Sequence, residues 1–353
     1  MIASIESPAN WKSYELTPRT DWVHQLGDDE VAEIDAALRD VRAEEIGLAE
    51  LRKEDFPLAK FPALAERVRS ALEDGPGIFM IRGVPVERYS MEDLRMIYWG
   101  LGKYLGTARS QSAEGDYLGD VRDLKIPPDS PRFRGYQTSG GGTFHCDTCD
   151  VAALFVIRPA MEGGVSMVCS SVAIHNEIQR TRPDLLEVLY QPFWWSMLEQ
   201  QREGEPKVYQ QPVFSRHEGH FSCRYIRPHI KQAQRYPEVP RLMPQQIEAL
   251  DLLDELYTRP EFELITNFQP GDIQFCNNHV VMHARTAFKD WPDPERHRHL
   301  LRLWLSVPNS RPLSPSMAHI YKDQRGGAVR GGFEPRVPGT MVFETTGAET
   351  LVT

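Results

Sequence analysis

From residue 151 to residue 307 the chain runs through a succession of short apolar stretches, each too brief for a helix and each stopped by turn-forming residues. This repeated interruption constrains the fold more than any other feature. The runs are VAALFVI (151–157), VSMVCSS (165–171), VYQQPVFS (208–215), HFSCRYI (220–226), ELITNF (263–268), IQFCNN (273–278) and LLRLWLSV (300–307). All have strand length and most are rich in β-branched and aromatic residues. Glu162-Gly163-Gly164, Glu218-Gly219 and Gln269-Pro270-Gly271-Asp272 punctuate them. Helical inserts are expected at 171–190 and 244–258. Many short strands with few helices favour an antiparallel sandwich or barrel over a doubly wound sheet. The expected fold class is therefore mainly β with flanking helices.

The N-terminal part reads differently. Val31, Ile34, Ala37, Leu38 and Val41 recur at helical spacing and predict a helix over 28–45, and a second is expected over 62–74, closed by Gly75-Pro76-Gly77. IFMIRGVPV (78–86) reads as a buried strand. Ser90, followed by Glu92 and Asp93, predicts the cap of a helix running to about Leu105. With 353 residues the chain suits a single domain, a helical part over about 1–75 and a β core over about 76–310.

A net charge of −10 argues against a nucleic-acid partner, which would need a basic face. No stretch approaches 18 uninterrupted apolar residues, so no membrane span is expected. The opening MIASIESPANWKSYEL has neither the basic nor the apolar region of a secretory signal. Five sparse cysteines (146, 149, 169, 223, 276) read as reduced thiols in a cytoplasmic protein. Nothing in these features decides against a homo-oligomer.

Residues 144–149, FHCDTC, can be read as a zinc-type Cys-x-x-Cys, a redox dithiol or a His-x-Asp pair. On a strand His145, Asp147 and Cys149 share one face, while Cys146 and Thr148 take the other. Two cysteines that point oppositely cannot ligate one zinc, and no second such pair exists in the chain. A redox dithiol would precede a helix, whereas VAALFVI follows here. His145 and Asp147, by contrast, converge. A third ligand would have to come from CNNHVVMHARTAF, where His279 and His283 lie four residues apart. Val280 stands where a metalloprotease helix carries its general-base glutamate, so that reading fails. One of these histidines could complete a two-histidine, one-carboxylate face, which leaves open positions and favours non-haem Fe(II). Arg298 and Arg302, in the otherwise apolar RHLLRLWL, are spaced to project alike, and a buried arginine wants a carboxylate or similar anion.

FHCD, EGGVS, QPGDIQFCNNHVVMHARTAF and RHLLRLWL, in that order, resemble the taurine dioxygenase/TfdA (clavaminate synthase-like) family of Fe(II)/2-oxoglutarate-dependent dioxygenases, and GPGIFMIRGVPVE resembles its early strand. The resemblance spans roughly residues 75–310 and implies a double-stranded β-helix, or jelly roll. It implies His145, Asp147 and His283 as iron ligands, with His279 as second choice for the distal histidine. It also implies Ser166 as a hydrogen-bond partner of 2-oxoglutarate, Arg298 as the partner of its distal carboxylate, and Arg302 near cosubstrate or substrate. The implied reaction uses Fe(II), 2-oxoglutarate and O2 to oxidise a C–H bond of a small molecule, releasing succinate and CO2. Hydroxylation is the default; desaturation, cyclisation or epoxidation would need the same residues. A cupin-like protein that binds metal without turnover, or a zinc hydrolase, are the alternatives.

Substrate signals are thinner. RFRGYQTSGGG (132–142) is expected at the pocket mouth, together with parts of YQPFWW (190–195) and SCRYIRPH (222–229). Arg224, Tyr225 and Arg227 could meet an acidic substrate or fill core and surface. Trp194 and Trp195 read as core or pocket wall, and RGGAVRGGF (325–333) as a lid or a solvated loop.

Overall fold

The short apolar runs are strands, and turn-forming residues separate them. The structure is a computed structural model describing residues 2–125 and 137–344. In chain order the strands are β1 (Val23–Gln25), β2 (Ile78–Arg82), β3 (Thr107–Arg109), β4 (Leu118–Val121), β5 (Gly142–His145), β6 (Val151–Arg158), β7 (Glu162–Gly163), β8 (Ser166–Ser170) and β9 (Pro192–Ser196). They continue as β10 (Val208–Pro212), β11 (Phe214–His217), β12 (His220–Cys223), β13 (Leu264–Thr266), β14 (Ile273–Asn277), β15 (Val281–Arg285), β16 (Phe288–Lys289) and β17 (His299–Ser306). The helices are α1 (Ser13–Leu16), α2 (Asp28–Ala43), α3 (Phe61–Glu73), α4 (Met91–Leu105), α5 (Ser171–Thr181), α6 (Pro183–Leu189), α7 (Arg227–Ala233), α8 (Pro244–Tyr257) and α9 (Ala318–Tyr321).

Two sheets frame the molecule. The larger follows the order β1-β2-β14-β6-β17-β3, with β4 also on β17; the smaller follows β13-β8-β15-β5. Their pairings are antiparallel except β1 on β2. The sheets face each other, and Ser166 of β8 reaches Gln274 of β14 across the gap. This is the mainly β jelly roll with flanking helices that the sequence predicts, its sheets open rather than closed on themselves.

β17 shows how the sequence builds the layers. Leu301, Leu303 and Leu305 point outward into a cluster with Leu38 and Val41 of α2, Leu64 and Val68 of α3, and Leu94 and Ile97 of α4. Leu300, Arg302 and Trp304 alternate with them and point inward, as strand periodicity requires. Every residue of β17 is buried, which explains why its run reads as continuously apolar rather than alternating. Each such leucine contributes on the order of 2 kcal/mol of burial. The smaller sheet is covered by α5, α6 and α8, whose Val172, Leu185 and Leu253 join its core, and Phe144 of β5 stacks on Tyr257 of α8.

The helix over 28–45 closes at Ala43, and the one over 62–74 runs Phe61–Glu73. The Ser90 cap is present: its hydroxyl accepts from the Asp93 N–H, and the Asp93 carboxylate accepts from the Ser90 N–H. Differences have local causes. The strand expected over 78–86 ends at Arg82, because Gly83 turns the chain with φ of 96°. VYQQPVFS splits into β10 and β11 at Pro212, which has no N–H to continue the ladder. The two halves pair with β9 and β12 respectively. Among the described residues no helix is long and apolar enough to cross a membrane.

Candidate metal centre

The site begins with a register. His145 ends β5 and His283 sits in β15, and the two are direct cross-strand partners, their ring centroids 4.5 Å apart. A residue opposite another on an antiparallel pair shares its face, so pairing alone brings together imidazoles 138 positions apart in the chain. Asp147 follows β5 by two residues and is pinned from both ends. Its N–H donates to Asn278 Oδ1 at 2.9 Å, and its Oδ2 accepts from Trp304 Nε1 at 2.8 Å.

The three groups stand at ligand spacing. One atom from each of His145, Asp147 and His283 lies within 4.8 Å of the others. His145 Nε2 is 3.9 Å from Asp147 Oδ1, and His283 Nε2 is 3.7 Å from Asp147 Oδ2. These separations are too long for hydrogen bonds and suit a shared ion. His145 Nδ1 donates to the Thr143 carbonyl at 2.8 Å, which leaves the Nε2 lone pair turned to the site. Burial, reinforced by the His145 charge, lowers the His283 pKa to about 3, so its imidazole is neutral. Burial would raise Asp147, but Arg302, the two imidazoles and the Trp304 N–H outweigh it and lower the carboxyl to about 2. A neutral His283 imidazole and an ionised Asp147 carboxylate are forms a metal requires. A void of about 20 Å³ between Asp147, His283, Gln274, Cys276 and Arg302 has room for one small group. The donor set therefore fits a ferrous ion.

A second cavity lies against Arg298. Arg298, 3% exposed, faces a cavity of about 130 Å³ lined by Gly163, Gly164, Val165, Thr266 and Leu300. Its guanidinium stacks over Phe288 and reaches only the Val121 carbonyl, at 3.4 Å. Among the described residues no carboxylate ion-pairs with it. Burial, then the charge of Arg285, lowers its pKa to about 9. Gly164 makes the room: its φ is 67°, and a Cβ there would stand 3.0 Å from Arg298 Nε.

The remaining sequence candidates fall as follows. Arg302 is buried beside the metal groups, its Nη1 3.6 Å from Asp147 Oδ1 and its Nε donating to Gln111 Oε1 at 2.7 Å. Ser166 is buried but lines neither cavity, and its hydroxyl donates to Gln274 Oε1 at 3.1 Å. His279 is turned away, bonded at 2.9 Å to Asp150 and buried. Cys146 and Cys149 pack into separate apolar clusters, and all five cysteines are free and buried. Arg224 is spent on the Cys146 carbonyl and Thr148, Tyr225 on Asp254, and Arg227 on Asp251 and Asp254, so these fill core and surface. Trp195 is core, its N–H on the Gln211 carbonyl. The loop over 325–333 is anchored by Arg330, which bonds Asp150 at 2.9 Å. Of the expected pocket mouth over 132–142, residues 132–136 lie outside the described residues.

Sequence reasoning missed Trp304, Asn278 and Gln274. Trp304 had a signal: it stands two residues from Arg302 on one strand and so shares its inward face. Asn278 and Gln274 had none, since their partners lie on other strands.

The taurine catabolism dioxygenase TauD, TfdA family model matches residues 42–304. FR-33289 synthase of Streptomyces rubellomurinus is 31% identical, the match covering 90% of this chain and 96% of that protein. Taurine hydroxylase-like protein SAT17 of Stachybotrys chartarum is 28% identical over 86% of this chain and 80% of its own. Among solved structures, asparagine oxygenase (AsnO) superposes with a TM-score of 0.60 at 16% identity, covering 88% of this chain and 99% of its own. The non-heme iron oxygenase OrfP in complex with Fe and alpha-ketoglutaric acid gives a TM-score of 0.60 at 14% identity, covering 87% and 99%. At these identities the structures speak for the fold.

Proposed function

The chain belongs to the taurine catabolism dioxygenase TauD, TfdA family of Fe(II)/2-oxoglutarate-dependent dioxygenases, and from that premise we propose that His145, Asp147 and His283 hold the ferrous ion with which it oxidises a small molecule. The observation that carries this assignment is the convergence of the three ligand atoms within 4.8 Å. Bound there with 2-oxoglutarate and O2, the ion supplies oxidative decarboxylation to succinate and CO2, coupled to oxidation of a substrate C–H bond.

The protein's own groups do the rest. Thr143 fixes the His145 tautomer and Trp304 fixes the Asp147 carboxylate, so both ligands are oriented before metal arrives. The buried guanidinium of Arg298, with no carboxylate ion-paired to it among the described residues, supplies a bidentate counter-ion for the distal carboxylate of the cosubstrate. Arg302 adds positive charge beside Asp147, where an anionic ligand group would lie. Ser166 contributes through the amide it orients. Hydroxylation is the default outcome we assign; desaturation, cyclisation or epoxidation would use the same groups.

We read the chain as one domain, the helical part over about 1–75 serving the β core through β1, which joins the larger sheet on β2. Five unpaired, buried thiols support a reducing, cytoplasmic setting. The test is anaerobic addition of Fe(II) and 2-oxoglutarate to the purified protein. A weak visible charge-transfer band is expected, followed by succinate release when air and a substrate library are supplied. Well-folded protein that shows no band would sink the proposal, and a zinc-supported, oxygen-independent activity would replace it with a hydrolase.

A further inference from the structure

Gln274 is 2% exposed, and its Nε2 has no hydrogen-bond partner among the described residues. A buried amide donor left unpaired forfeits its hydration without a replacement, so such a group in a native site asks for a partner. Its position says which. Leu154 of β6 pairs with Gln274 of β14 on one side and with Arg302 of β17 on the other, so the three form one row across the inward face of the larger sheet. The next row toward the metal groups is Cys276, Ala152 and Trp304, whose indole holds Asp147. On the other side of the Gln274 row lie Val156 and Leu300, which line the Arg298 cavity. Gln274 thus stands between the metal triad and the Arg298 cavity, and it lines the small void beside His283 and Asp147.

We infer that Gln274 is a further binding residue for the 2-oxo acid, its amide N–H donating to an oxygen of that cosubstrate, and that Ser166 is the positioning residue that turns the amide to do so. The inference rests on the function proposed above. A 2-oxo dicarboxylate offers only acceptors along its length, and the side chains that line its path, Arg298, Gln274 and Arg302, offer donors. An amide has one end of each kind. The Ser166 hydroxyl gives its proton to Gln274 Oε1, which takes up the acceptor end and leaves the donor end for the cavity. Flipped, the same side chain would set a carbonyl oxygen against a carboxylate. The residue also adds a donor without adding charge beside Asp147.

The test is anaerobic titration of the Fe(II)-loaded protein with 2-oxoglutarate, followed by its visible band, with Fe(II) affinity measured separately by equilibrium dialysis without cosubstrate. Gln274→Leu is expected to weaken 2-oxoglutarate binding by about 10- to 100-fold, the range for a hydrogen bond to a charged group, and to leave Fe(II) affinity unchanged. Gln274→Glu, nearly isosteric and so the variant to use where the leucine form does not fold, should weaken it at least as much by setting one anion against another. Ser166→Ala should weaken it less than either, by freeing the amide to flip. Both Gln274 variants binding 2-oxoglutarate as tightly as the unsubstituted protein, whose band is present, would overturn this inference alone. Absence of the band from the unsubstituted protein would overturn the metal assignment and this inference with it.

Discussion

Two of the three candidate ligands lean on neighbours that fix the reacting atom, His145 on Thr143 and Asp147 on Asn278 and Trp304. His145 is the clearest case, because its Nδ1 proton is committed to Thr143 and only Nε2 remains to bind. Replacing a partner that merely orients a ligand costs about 10- to 100-fold in metal affinity, so removing the ligand itself should cost more. His145→Ala is therefore expected to lower succinate release by more than about 100-fold. Cys149→Ser should keep most of it, since that sulfur packs on Ala152 and Trp304. The reverse pattern would revive a thiol-based chemistry. At this scale the sequence was informative for His145, Asp147, Arg298 and Arg302, because each is a polar group placed where its strand or motif has little other use for one. Residue pattern alone left His283 and His279 open, and the family resemblance preferred His283. Those two stand four apart in one segment, and only the turn between β14 and β15 sends His279 to Asp150 and His283 to the metal groups.

At the scale of elements, the turn between β7 and β8 does the most for function per residue. Gly164, at φ of 67°, lets the chain pass over Arg298 with nothing but hydrogen between them. Gly164→Ala would strain the backbone by about 1 kcal/mol or more and push a methyl against the guanidinium. The expected result is a raised 2-oxoglutarate KM with Fe(II) affinity unchanged, read by steady-state kinetics and metal dialysis. An unchanged KM would separate Arg298 from the cosubstrate. Strands of the core were legible from their apolar runs and helices α2, α3 and α4 from periodicity and the Ser90 cap. β5 and β15 were not, although they carry two of the three ligands. β5 is the tetrapeptide GTFH, with one apolar residue and no apolar pattern, and β15 carries only the second of two histidines four apart, a spacing that brings a helix to mind before a strand.

Across the whole molecule, the chain's distant parts are clasped around the turn that carries Asp147. Asp150, three residues on, accepts from His279 at 2.9 Å, from Arg330 Nε at 2.9 Å and from Ser306 at 3.2 Å, all buried. Gly332 donates from its backbone to the Thr148 carbonyl. The segment over 325–333 is therefore a buckle fastened to the metal loop, neither lid nor solvated tail. Breaking one partner of a buried ion pair strands the other charge, at about 3–5 kcal/mol. Arg330→Ala should destabilise the protein by that amount in urea unfolding; a loss below about 1 kcal/mol would mean Asp150 is satisfied without it.

By itself the sequence determined the class of fold, since strand-length apolar runs between turn residues admit little but a β sandwich. The kind of chemistry came from the order of the motifs and the family they resemble, since buried histidine, carboxylate and arginine also satisfy one another, as His279, Asp150 and Arg330 do. The motif order preferred His283 to His279, but how Asp147 is aimed and where Gln274 sits between the two cavities were decided by tertiary structure alone. Those facts live in the register between strands far apart in the chain, and register is set by what packs on both faces of a sheet, which no local pattern records.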